Sequence, residues 1–150
     1  MTVEIVNGIF DVHEKVQQFA RTIEQTNRIG AMSMFVGYMR DFNDGDNVSE
    51  MFLEHYPGMT ETQLQNIVTD AGQRHDLIET FIVHRVGRIL PSEPIVVVAV
   101  WTSHRGDAFA ACREIMEALK SKAPFWKQET LSKADDDDES KRWVEQNTPP

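Results

Sequence analysis

Two short strings carry the groups best suited to handling an anion. Lys120-Ser-Lys-Ala-Pro-Phe-Trp-Lys127 sets three ammonium groups beside two large aromatics where an apolar helical pattern ends. Cations favour a helix C-terminus and a solvated surface in any case, so their position alone allows a structural role. The chemical reading is that Lys120 and Lys127 bind a carboxyl or phosphate group and stabilise charge during attack, with a desolvated lysine also moving protons. Ser103-His-Arg105 follows an apolar strand and opens a helix, so Ser103 is placed to cap while free N–H groups face any anion at that junction. His104 supplies a donor and Arg105 a planar fork for two phosphate oxygens. The structural alternative is that Arg105 pairs with a nearby acid and His104 satisfies backbone groups.

Four further residues fit such a site. Arg40 stands where a strand gives way to a polar loop, within reach of a bound phosphate, or else in a strand-end ion pair. Phe35 and Met116 offer an apolar wall to a planar heterocycle, although each also suits the core. Glu129 could orient Lys127 or stand solvated. His13, His75 and His84 form no cluster and are read as structural or solvent-facing.

These residues need a scaffold, and the chain is long enough to supply one. One domain spanning 1–150 is expected, because 150 residues with 41% hydrophobic content bury a core without disulfides or a structural metal. The single Cys112 excludes an intrachain disulfide, falls in an apolar helical pattern and reads as a buried, inert thiol. Met1 to Phe10 lack the features of a signal peptide and no apolar run is long enough to span a bilayer, so a cytoplasmic protein without membrane association is expected. A formal charge of -9 argues against nucleic-acid binding. No zinc spacing, P-loop or dinucleotide glycine motif occurs, so neither metal nor cofactor is expected.

The periodicities place strands at Thr2 to Asn7, Ile29 to Met39, Val48 to His55, Thr80 to Val86 and Ile95 to Thr102. Helices are expected from about Asp11 to Arg21, after Thr60, and from about His104 to Lys120. Asp11 with Glu14 can cap the first, and Thr60, Gln63 and a Met59–Leu64 staple mark the start of the second. Pro124 stops the third. Beyond Phe125-Trp126 the chain turns polar, residues 132–140 are expected to form a mobile acidic loop, Arg142-Trp-Val144 is expected to dock afterwards, and Pro149-Pro150 to fray. Interleaved helices and strands indicate an α/β class, as a two-layer α+β domain.

Five blocks, Phe35-Val-Gly-Tyr-Met-Arg40, Leu53-Glu-His-Tyr-Pro-Gly-Met59, His84-Arg-Val-Gly87, Ser103-His-Arg105 and Lys120-Ser-Lys-Ala-Pro-Phe-Trp-Lys127, resemble the large, catalytic subunit family of molybdopterin synthase in identity and order. The resemblance implies an α/β hammerhead fold and a homodimer of large subunits within a heterotetramer. At each end would sit a small ubiquitin-like sulfur carrier, whose C-terminal Gly-Gly thiocarboxylate gives sulfur twice to cyclic pyranopterin monophosphate, forming the molybdopterin dithiolene. It implies that Lys120 is catalytic with Lys127 as its partner. Arg40, His104 and Arg105 become pterin or phosphate contacts, Phe35 and Met116 pocket wall, Glu129 an orienting carboxylate, and Arg142 a further substrate-binding residue. A noncatalytic pterin- or carrier-binding subunit of the same fold is the alternative.

Overall fold

A computed structural model describes residues 1–43, 45–131 and 140–144. In chain order the elements are β1 (Thr2–Asn7), α1 (Val12–Ala20), a 3-10 turn (Thr26–Arg28), β2 (Ala31–Tyr38), β3 (Phe42–Asn43), β4 (Asp46–His55), α2 (Met59–Gly72), β5 (Leu77–Ile89), β6 (Pro94–Thr102), α3 (Arg105–Lys122), β7 (Phe125–Leu131) and β8 (Ser140–Val144). The strands join in the order β2-β6-β5-β4-β7-β8, with β1 parallel to β5 and β3 paired to β4.

The mixed α/β class agrees with the sequence. Helices α2 and α3 cover one face of β5 and β6, where Leu64, Ile67, Ile115 and Leu119 meet Ile82, Val98 and Val100. Helix α1 covers the other face, with Val12 and Val16 against Phe81, Val83, Val97 and Trp101, adding a third layer there. That two-sided cover is why Phe81 to Val83 of β5 and Ile95 to Trp101 of β6 read as unbroken apolar runs and not as alternating ones. Cys112 lies in the α3 interface, and burial raises its thiol pKa.

Strand β5 changes partners along its length, pairing with β6 through His84 and with β4 from Gly87 to Ile89. Gly87 sits at this corner with φ 81°, a conformation that a side chain disfavours, and a Cβ there would stand 2.6 Å from Asn7 Oδ1. The turn swings β4, β7 and β8 away from the larger half of the sheet. A third apolar cluster of Met39, Val48, Met51, Leu53 and Ile89 fills the angle.

Several local expectations change. Asp11 caps α1 by accepting from the Glu14 amide at 2.8 Å, as expected. Helix α2, however, starts two residues early, with Gly58 at the cap and Glu61 accepting from the Gly58 amide at 2.7 Å. Thr60 is instead fully buried: its hydroxyl accepts from the Tyr56 amide and donates to the Pro124 carbonyl, tying α2 to the end of α3. His104, without a side-chain cap bond, replaces Ser103 as the cap of α3. The Ser103 carbonyl faces Gly30, where a Cβ would lie 2.2 Å away, so only glycine lets the two segments approach. The polar stretch after Trp126 is strand β7, and Arg142-Trp-Val144 docks on it as part of β8. The expected acidic loop, apart from Ser140, and the frayed C-terminus lie outside the described residues. Among those described, no helix is long and apolar enough to cross a membrane.

Candidate active site

The corner between the two sheet halves holds a cavity of about 470 Å³, a volume typical of small-molecule sites. Each wall traces to an element already described. Strand β2 delivers Phe35 and then, past its end, Arg40; the last turns of α3 deliver Met116 and Lys120; β7 delivers Lys127 and Glu129. Residues 127 and 129 share a face because side chains alternate along a strand, and residues 116 and 120 are one helical turn apart. Six of the residues selected from sequence therefore meet in one cavity.

Glu129 is the fixed point of this wall. It is 3% exposed, yet its carboxylate is surrounded by donors. Asn43 Nδ2 donates to Oε1 at 2.8 Å, Lys127 Nζ stands 3.1 Å from the same oxygen, and Arg142 donates to Oε2 through Nε and Nη2 at 3.1 and 3.0 Å. Burial alone would raise the Glu129 pKa, but these hydrogen bonds and the Lys127 charge outweigh it, so the carboxyl lies below its ordinary value and is ionised. The β7–β8 register sets Glu129 directly opposite Arg142. Arg142 also donates to Asp46 Oδ2 at 2.7 Å and to the Asn43 carbonyl at 3.2 Å. It is engaged behind the wall and does not line the cavity. Arg40 is exposed and lies over the Phe42 ring, 4.9 Å from its centroid.

His104 and Arg105 are not brought to this cavity within one chain. Both are exposed at the opposite end of α3 from Lys120. Phe109, one turn beyond Arg105, is 68% exposed.

His84 is one of the lining residues that the sequence does not single out. His84 was classed as structural or solvent-facing, but it lines the cavity while only 5% exposed. Its ring stacks on Phe125 at 3.8 Å between centroids, and Nδ1 lies 2.9 Å from the Arg85 carbonyl. Burial, with a smaller contribution from nearby His55, pushes its pKa down to about 4, so the ring is neutral near pH 7. The available signal is a histidine on the same strand face as Ile82, directly after the apolar residues Phe81 to Val83.

With this geometry in place, comparison with known proteins decides the family. The family described as MoaE protein matches residues 5–122. This chain belongs to the MoaE family. It is 48% identical over 144 residues to the molybdopterin synthase catalytic subunit of Ralstonia nicotianae, spanning 96% of this chain and 77% of that one. The solved MoaE protein of Burkholderia ambifaria is 46% identical, with a TM-score of 0.75 over 95% of this chain and 88% of its own. The crystal structure of molybdopterin synthase from Staphylococcus aureus is 30% identical, with a TM-score of 0.79 over 94% of this chain and 95% of its own. The MoaE match ends at residue 122, before Lys127, Glu129 and Arg142. The geometry of β7 and β8 places Lys127 and Glu129 in the cavity wall and Arg142 behind it.

Proposed function

We propose that this chain is the catalytic subunit of a molybdopterin synthase, transferring sulfur from the C-terminal thiocarboxylate of a small ubiquitin-like carrier to cyclic pyranopterin monophosphate. The observation that carries this reading is the convergence of Lys120, Lys127 and Arg40 on one cavity with an apolar flank of Phe35 and Met116. A pterin is flat and bears an anionic phosphate, and a thiocarboxylate is anionic as well. Apolar side chains suit the ring, while ammonium and guanidinium groups suit the two anions.

In this reading Lys120 acts on the reacting centre, stabilising charge that develops when the thiocarboxylate sulfur attacks the pterin carbon. Lys127, aimed by Glu129, binds the carrier's terminal group or the substrate and assists that step. Arg40 reaches from the β2 end toward phosphate. Each attack leaves the carrier's carbonyl on the new sulfur as a thioester, which water hydrolyses to release the carrier as its carboxylate; two such transfers supply the two sulfurs of the dithiolene, and the cyclic phosphate opens. The carrier's Gly-Gly end has no bulky side chains, which suits entry into a recess at a sheet corner.

A second copy of the chain completes the site. His104 and Lys120 are sixteen residues apart, about 24 Å along a helix axis, too far to share one small ligand within a protomer. Exposed Phe109 beside His104 and Arg105 supports a covered face there. A partner's face would bring its own histidine and arginine toward this chain's lysines, within an assembly of two large and two small subunits.

Reconstitution tests the proposal. The purified chain, thiocarboxylated carrier and cyclic pyranopterin monophosphate should yield the dithiolene, detected directly as product. Tight pterin or carrier binding with no dithiolene would favour the noncatalytic binding subunit.

A further inference from the structure

We propose that His84 is a specificity-determining residue that accepts a hydrogen bond at Nε2 from a ring N–H or amino group of the bound pterin. The inference rests on the reading of the cavity as a pterin site, and it concerns a residue to which that reading gives no role.

Three observations converge on it. The ring is held rigidly: its backbone is paired on both sides, to Ile5 of β1 and Val96 of β6, and its face stacks on Phe125 with an interplanar angle of 14°. Its tautomer is set by a neighbour, because the Arg85 carbonyl 2.9 Å from Nδ1 can only accept, so Nδ1 carries the proton. The proton-free Nε2 then has a lone pair, and His84 makes no second hydrogen bond among the described residues. Nε2 is not among the fully enclosed unpaired polar atoms of the described residues, so it keeps accessible surface, and as His84 lines the cavity a donor on a bound ligand can replace water there.

The chemistry of the remaining wall selects the donor. Lys120, Lys127 and Arg40 carry N–H groups and so recognise acceptors and anions. Glu129 has both oxygens engaged by Asn43, Lys127 and Arg142. A phosphate and a thiocarboxylate offer no N–H; the peptide groups of the carrier's Gly-Gly tail do, and separate titration with the carrier distinguishes that donor from the pterin. A reduced pterin offers several, at ring nitrogens and at its exocyclic amino group, and its face matches the apolar flank of Phe35 and Met116. A neutral, tautomer-locked imidazole therefore distinguishes a donor-rich heterocycle from an isosteric one lacking N–H groups.

The test compares the parent with H84F, which keeps an aromatic ring against Phe125 without an acceptor, and H84Q, whose amide oxygen reaches the region of Nε2. Calorimetric titration with cyclic pyranopterin monophosphate alone should show H84F weakened about tenfold, about 1.4 kcal/mol, and H84Q recovering most of that loss. In reconstituted synthase the loss should fall on the pterin KM more than on kcat, with carrier affinity unchanged. Histidine 15N spectra of the parent, assigned by the signal missing in H84Q, should show Nε2 moving on addition of the pterin and not on addition of carrier. Parental pterin affinity in H84F, an unmoved Nε2 signal at saturating pterin, or a loss confined to carrier binding would overturn the inference. Should H84F fail to fold, the spectra of the parent and the H84Q titration decide alone. A parent that forms dithiolene while H84F binds pterin normally rejects only His84; a parent that neither binds pterin nor forms product rejects the functional reading as well.

Discussion

Lys127 Nζ lies 3.1 Å from Glu129 Oε1, two residues along the same strand and on the same face of it. A lysine has four side-chain torsions and in water would sample many of them. Pairing it with a carboxylate that is itself gripped by Asn43 and Arg142 narrows that sampling toward the cavity.

Glu129→Gln should therefore loosen Lys127 while leaving two cations beside a neutral amide. Because Lys127 and Arg142 are partly exposed, solvent screens part of the loss, and a destabilisation of about 1–2 kcal/mol is expected. Urea unfolding measures it. Turnover should fall together with stability, and Arg142→Ala in the Glu129→Gln background should add little, since both act on one network. Additive losses would show that the two residues act independently.

Lys120→Ala should leave the fold intact, because Lys120 sits partly exposed in the last turn of α3. Dithiolene formation should drop at least about tenfold, a loss of roughly 1.4 kcal/mol or more in transition-state stabilisation. Circular dichroism with single-turnover product assays checks both halves. Near-parental turnover removes Lys120 from the chemistry.

A mixed dimer tests the composite site. One protomer carries Lys120→Ala and the other His104→Ala, isolated through different tags after each homodimer is shown to be folded and impaired. If each cavity takes its histidine from the partner, one cavity holds both defects and the other neither, so activity recovers toward half of the parental value. If both residues serve their own protomer, no recovery follows.

His84 makes the fold acid-sensitive in a defined window. Its pKa falls from an ordinary 6.5 to about 4 in the folded chain, so between those values the unfolded chain binds more protons. Stability is then complete above pH 6.5 and declines as pH falls toward 4, by on the order of 3 kcal/mol across the window. Glu93, Glu114 and Glu129, whose pKa values are lowered by their partners, add losses at the acidic end. The difference between the parent and His84→Gln isolates the histidine: urea midpoints from pH 7 to pH 4 should slope less in the variant. Parallel slopes would mean that His84 titrates alike in the folded and unfolded chain.

Local order was legible along the chain wherever one residue's environment depends on near neighbours. The Asp11 cap, the stripe Ala108, Cys112, Ile115 and Leu119 on α3, and the apolar runs of β5 and β6 all announce themselves by period, because a repeating face must be buried. The identity of the lysine, arginine and aromatic groups also follows from the chain, through blocks whose order matches a known family. Three features depended on distant segments. Strand β7 reads as polar because two of its cavity-facing positions are Lys127 and Glu129, so alternation of apolar and polar residues, the usual mark of a half-buried strand, is missing. Arg142 acquires its partners only from the register of β8 on β7 and from Asn43 and Asp46, nearly one hundred positions earlier. His84 looks like a core histidine until the turn at Gly87 opens the sheet corner beside it, because whether a buried strand residue meets packed side chains or a cavity is set by how two halves of a sheet diverge, and that depends on the pairing of β5 with the distant strands β4 and β6.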